Sequence, residues 1–167
     1  MPDLIPKERL QPALLDRLVD DAPDKSSESR THRVISPREL HAFVKRDLAW
    51  LLNTVNLEAT DDLQAYPEVA KSVVNFGVPD LSGKTLTEAD IPEIRRGLRQ
   101  AILQFEPRII PRTLVVEAGL DKDRMAHNQL TFLIRGDLWA NPVPIELYLR
   151  TDLDLETGNV TVSEGER

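Results

Sequence analysis

Apolar residues fall in two different rhythms along the chain, and the change of rhythm divides it. In "ISPRELHAFVKRDLAWLLNTV", Leu40, Phe43, Val44, Leu48, Leu51, Leu52 and Val55 recur at helical spacing. Ser36 and Glu39 form a capping box, with Pro37 at the first helical position and Ile35 and Leu40 placed for a hydrophobic staple. The pattern predicts one long helix from Pro37 to about Val55, with Trp50 near its apolar face and in the core. A second helix is expected after Asp90 and Glu93, which have the spacing of another capping box. Its face is Ile94, Leu98, Ala101, Ile102 and Phe105. Pro107 ends it, because proline cannot continue the hydrogen-bond ladder and disfavours helical geometry at Glu106.

Beyond Pro107 the period shortens to two. "RTLVVEAGL", "NQLTFLIRGDLW" and "VPIELYLRTDLDL" are rich in branched and aromatic residues, and "ETGNVTV" supplies a turn and a last short strand. Consecutive strands with short links read as an antiparallel meander. Helices first and strands afterwards give an α+β fold, N-terminal helices packed on one face of a mostly antiparallel C-terminal sheet.

The two ends of the helical half differ. "LQPALLDRLVD" places Leu14, Leu15, Leu18 and Val19 at helical spacing, in a helix too short to be stable alone in water. It needs a surface, on its own domain or on a partner. "DAPDKSSESRTHR" has no apolar period and reads as a flexible arm. Residues 1–33 are therefore expected as an amphipathic helix and arm, and residues 34–167 as a single α+β domain. Between the two long helices, "YPEVAKSVVNFGVPDLSG" is a helical turn breaking into a loop, and its isolated glycines do not make a phosphate-binding loop.

Composition narrows the chemistry. The 28 acidic against 21 basic residues give a net charge of -7, which argues against broad binding to nucleic-acid phosphates. Without cysteine there is no disulfide framework or thiolate metal site. No secretory signal and no membrane-spanning run is apparent, which places the chain in the cytoplasm. His32, His41 and His127 lack ligand spacing, and no cofactor or metal site is expected. "TDLDLETG" mimics part of a calcium loop, but Leu153 and Leu155 alternate with the acids, as in a strand with one solvated face. Trp139, at a strand end before "ANPVP", suits the core or an interface rim equally.

"FEPRI" decides whether the chain is an enzyme. A glycosidase acid needs a raised pKa. Arg108 stands two residues from Glu106, and in extended geometry both face the same side. A nearby guanidinium keeps a carboxyl ionised, which is wrong for proton donation and right for a charge-assisted contact. The stretch reads as structural or interfacial. A peptidoglycan hydrolase using Glu106 remains the alternative, and it requires a cleft with a second carboxylate roughly 5–10 Å away.

In order, "LLDRL", "RDLAWLLNT", "SVVNFGVPDLSG", "FEPRI" and "TDLDLETG" resemble the TssE family, small baseplate subunits of bacterial type VI secretion systems. That family is similar to the wedge proteins of contractile phage tails, which carry a lysozyme-like name. The resemblance covers nearly the whole chain. It implies a non-enzymatic subunit of a membrane-docked baseplate that links wedge proteins TssF and TssG to the TssB–TssC sheath and helps start sheath polymerisation. It implies that Glu106, Pro107 and Arg108 contact the wedge, with Leu14, Leu15 and Leu18 as a second docking element. An open sheet edge that accepts or donates a strand fits such a role.

Overall fold

Two long helices, one of them capped, are laid against one four-stranded meander. The computed structural model describes residues 12–19, 23–24, 35–82, 90–119, 129–140 and 143–165. The arm "DAPDKSSESRTHR", His32 and His127 fall almost entirely outside these.

Helix α1 spans Leu14–Leu18, and α2 spans Pro37–Leu52. The expected box opens α2: the Glu39 amide donates to Ser36 Oγ at 3.2 Å, and the Ser36 amide donates to Glu39 Oε2 at 2.7 Å. Ile35 and Leu40 are both buried, as a staple requires. Leu40, Val44, Leu48, Leu51 and Leu52 form the buried stripe. The helix stops three residues before Val55. Asn53 caps it, its side chain donating to Ala49 O at 2.7 Å, and Val55 turns outward into a parallel bridge with Val78.

A short helix α3, Pro67–Ala70, and a 3-10 turn at Val73–Asn75 lead to α4, Ile91–Phe105. The capping box expected at Asp90 is absent. Asp90 already has helical backbone angles (φ -82°, ψ -23°) and makes no side-chain cap, because a cap requires extended geometry to aim its oxygen at the helix amides. Its carbonyl instead accepts from the Glu93 and Ile94 amides. Ile91, Leu98, Ala101 and Ile102 are buried.

Strands β1 (Val115–Gly119), β2 (Gln129–Leu138), β3 (Ile145–Asp154) and β4 (Val160–Glu164) pair in chain order, all antiparallel. This is the α+β arrangement expected. Helix α2 lies against β3 and β4, and α4 against β1. Between helices and sheet, Phe132, Ile134, Leu138, Leu147 and Leu149 meet Val44, Leu48 and Ile102, all essentially without solvent exposure. Successive strand residues point to opposite faces, so the other face is polar. It carries an ion pair between Arg135 and Glu117, and Arg150 hydrogen-bonded to Asp152 beside Thr131.

Asn53 also reaches the sheet edge. Its Nδ2 donates to Val160 O and its Oδ1 accepts from the Val160 amide, both at 2.8 Å. The side-chain amide thus takes the place of a neighbouring strand at the first residue of β4. That closes this end of the edge to strand addition.

The turn from β3 to β4 shows what "TDLDLETG" does. Leu153 and Leu155 are buried, while Asp154 Oδ1 accepts from the Glu156 and Thr157 amides at 2.8 and 3.1 Å. The amides of Thr157 and then Glu156 hold the Asp154 carboxyl below its ordinary value. A depressed folded pKa contributes stability that is complete above the unfolded carboxyl value, about 3.9. It is lost as pH falls through the folded value. Asp154→Asn is expected to lower the denaturant midpoint near neutral pH, with the gap to the parent closing as the medium is acidified below about pH 3. A gap that stays constant with pH would show that the turn does not rely on the charge.

A buried ion-pair cluster as the candidate functional site

Pro107 shapes the site by setting up a turn. The Ile109 amide donates to Glu106 O at 3.2 Å, closing a four-residue turn with proline at its second position, which suits the fixed proline φ. Glu106 and Arg108 meet on one side through this turn and not through the extended backbone the sequence suggests. The Arg108 amide donates to Glu106 Oε1 at 3.1 Å, which fixes the carboxylate from below. The far side is tied to the end of β2: the Trp139 amide donates to Arg108 O at 2.7 Å and the Ile110 amide to Asp137 O at 2.8 Å.

The side chains then form a fork. Arg108 Nε donates to Glu106 Oε1 at 2.7 Å, and Nη2 donates to Oε2 at 2.5 Å. The same Nη2 reaches Asp47 Oδ2 at 2.5 Å. Asp47, on α2, in turn accepts from Arg46 Nε and Nη2 at 2.8 and 2.7 Å. Arg46 Nη2 also lies 2.7 Å from Asp16 Oδ1 on α1. Five charges therefore run Asp16, Arg46, Asp47, Arg108, Glu106 across α1, α2 and the turn after α4. Arg46 is flanked on its own helix by Phe43 and Trp50, its guanidinium 5.3 and 4.9 Å from their ring centres.

Burial gives the cluster its character. Glu106 is only 3% exposed in the isolated chain. Burial pulls the Arg108 guanidinium down, but the hydrogen bond and charge of Glu106, followed by those of Asp47, outweigh it and hold Arg108 well above its ordinary value. What reaches the surface of "FEPRI" is Pro107 and parts of Phe105 and Arg108. Arg108 Nη1 is buried without a hydrogen-bond partner. So are both Asp16 oxygens: Arg46 compensates their charge without the direction a hydrogen bond requires.

Beside the cluster lies a cavity of about 370 Å³, floored by Leu48, Leu51, Phe76 and Phe105 and edged by Leu15 and Trp50. Phe76 and Phe105 pack edge to face at 5.2 Å. Of the residues the sequence singled out, Glu106, Pro107 and Arg108 are here, and Leu15 is at the rim. Leu14 and Leu18 point to solvent, 72% and 73% exposed. Trp50, expected in the core, is half exposed, since it lies on the Arg46 side of α2, away from Leu48 and Leu52. Trp139 is exposed. Sequence reasoning gave no role to Asp16, Arg46 or Asp47, although all three stand inside the motifs "LLDRL" and "RDLAWLLNT".

The geometry bears on hydrolysis. Glu106 Oε2 and Asp47 Oδ2 each lie 2.5 Å from Arg108 Nη2, so twice that, about 5 Å, is the most that can separate them. A separation near that upper bound would match a retaining glycosidase. The guanidinium between the two acids removes the match: it fills the space a sugar oxygen would need.

Fold and site together define an α+β domain whose distinctive chemistry is an internally paired cluster of acidic and basic side chains beside an apolar cavity. Residues 38–143 match the model of the baseplate wedge protein gp25 family. The chain belongs to that family, and its role is structural, in a phage-tail-like baseplate. No curated protein matches it. A solved structure from Geobacter sulfurreducens described as a tail lysozyme is similar over 80% of this chain and 98% of its own, at 15% identity and a TM-score of 0.45. That likeness is too distant to lend an activity. Among the described residues no helix is long and apolar enough to cross a membrane.

Proposed function

We propose that the chain is a non-enzymatic, TssE-like subunit of a type VI secretion baseplate. It binds wedge proteins TssF and TssG through the surface around Glu106, Pro107 and Arg108, with Leu14, Leu15 and Leu18 as a second contact. Through them it positions the TssB–TssC sheath and helps start its polymerisation, on the cytoplasmic side of the membrane. Family membership sets the baseplate context, and the observation that carries the rest is the Glu106 carboxylate, buried and doubly bonded to Arg108. A carboxyl group tied to Arg108 in this way rigidifies a turn and orients the adjoining surface.

Co-expression with TssF and TssG tests the reading. The chain is expected to co-purify with them, and Pro107→Ala to reduce recovery while leaving the thermal transition within a few degrees. Purified wild-type chain that ignores both wedge proteins would overturn it. For the hydrolase alternative, cell-wall clearing that Glu106→Gln abolishes is the required result. Wild-type protein is expected to clear nothing at any pH.

A further inference from the structure

Helix α1 is placed where a partner would be. It is five residues long, buries none of them fully, and leaves Leu14 and Leu18 in solvent. Yet its Asp16 side chain is 1% exposed, pressed against Arg46 with no directed hydrogen bond on either oxygen. Behind it the cavity is unfilled at about 370 Å³ and is lined in part by Arg108, whose Nη1 is buried without a partner. Three buried polar atoms without partners, next to an unfilled apolar space, describe a poorly optimised contact. A segment that filled the space and aimed an oxygen at Arg108 would satisfy Nη1, and displacing α1 would return the Asp16 oxygens to water.

We propose that the α1 contact is a stand-in: the cavity with Arg46 and Arg108 is a binding site for a partner segment carrying a large apolar side chain next to a carboxylate, and α1 covers the site until that segment displaces it. This rests on the wedge-binding reading and adds what the partner must present and what must move. The chemistry of the occupant is set by the site. The cluster holds two guanidiniums against three carboxylates, so an incoming acid replaces Asp16 charge for charge, leaving Glu106 and Asp47 in place. Leu48, Leu51, Phe76 and Phe105 accept the apolar side chain. Leu15 and Asp16, adjacent on α1, already imitate the pair in weaker geometry.

The test uses the full chain with Trp139→Phe, which leaves Trp50 at the cavity edge as the sole tryptophan reporter. Asp16→Asn in that background is expected to speed tryptic cleavage after Arg17 by about tenfold, as the cover loosens. The synthetic peptide PALLDRLV, a copy of residues 12–19, is expected to change Trp50 emission in this variant, and the same peptide with asparagine in place of its aspartate to bind about tenfold more weakly. TssF–TssG binding is expected to tighten in Asp16→Asn relative to the parent. Equal binding of the two peptides, unchanged cleavage, or weaker wedge binding in Asp16→Asn would each overturn the proposal. The peptide arm needs no wedge protein. Wild-type chain that fails to hold TssF and TssG would therefore sink the functional reading and leave the site to be judged on the peptide alone.

Discussion

Arg108→Ala is expected to destabilise the fold itself by about 3–5 kcal/mol, the usual effect of removing one partner of a buried ion pair. The magnitude follows from what is left behind. Glu106 would keep its backbone contact with the residue 108 amide, but its carboxyl group, 3% exposed with Arg108 in place, would lose its counter-ion. Asp47 would lose the same partner and keep only Arg46. A purely interfacial pair would let the substitution spare the monomer; with the pair internal, any loss of wedge binding in this variant mixes two causes. Glu106→Gln combined with Arg108→Met separates them. It removes both charges at similar volume, and such exchanges are often neutral or stabilising. Urea denaturation of the parent, the single variant and the double variant measures this. A midpoint for Arg108→Ala equal to that of the parent would mean that the cluster holds nothing together. If the double variant recovers stability without recovering wedge binding, the charges serve recognition.

The elements were legible because their signals are local. Ser36, Pro37 and Glu39 lie within four residues, and the alternation of Leu147, Leu149 and Leu153 is visible in one strand. So was the pairing of Glu106 with Arg108, two residues apart. What could not be read lies between distant segments. Asp47 meets Arg108 across 61 positions and Asn53 meets Val160 across 107, and neither contact leaves a period in the sequence. Trp50 was misplaced for a related reason: a helix face a hundred degrees wide blurs at its margin, and the guanidinium of Arg46 draws the indole to the rim. The Asp90 box failed because residue type and spacing are necessary for a cap but do not set its backbone angles.

Gly77→Ala is expected to cost at least about 3 kcal/mol, a strained φ adding to an overpacked site. Gly77 holds φ +130°, where an L residue is strained, and an added Cβ would stand 2.3 Å from Thr54 O and 2.9 Å from the Asn56 nitrogen. Both are backbone atoms, so no side chain can swing away. They belong to the joint where the Val78 amide donates to Thr54 O and the Asn56 amide to Val78 O, fastening the "NFG" loop to the end of α2. Forcing them apart would also shift Phe76, the residue before Gly77, off Phe105 and distort the cavity floor beside Glu106. Gly97 is the natural control. It lies within α4 with nothing near an added Cβ, so Gly97→Ala is expected to stabilise by roughly 0.5–1 kcal/mol through helix propensity. Thermal denaturation of the two variants should therefore move in opposite directions. Similar transitions for both would mean that the loop accommodates the methyl group by a path the joint does not constrain, and that the cavity floor is not anchored at Gly77.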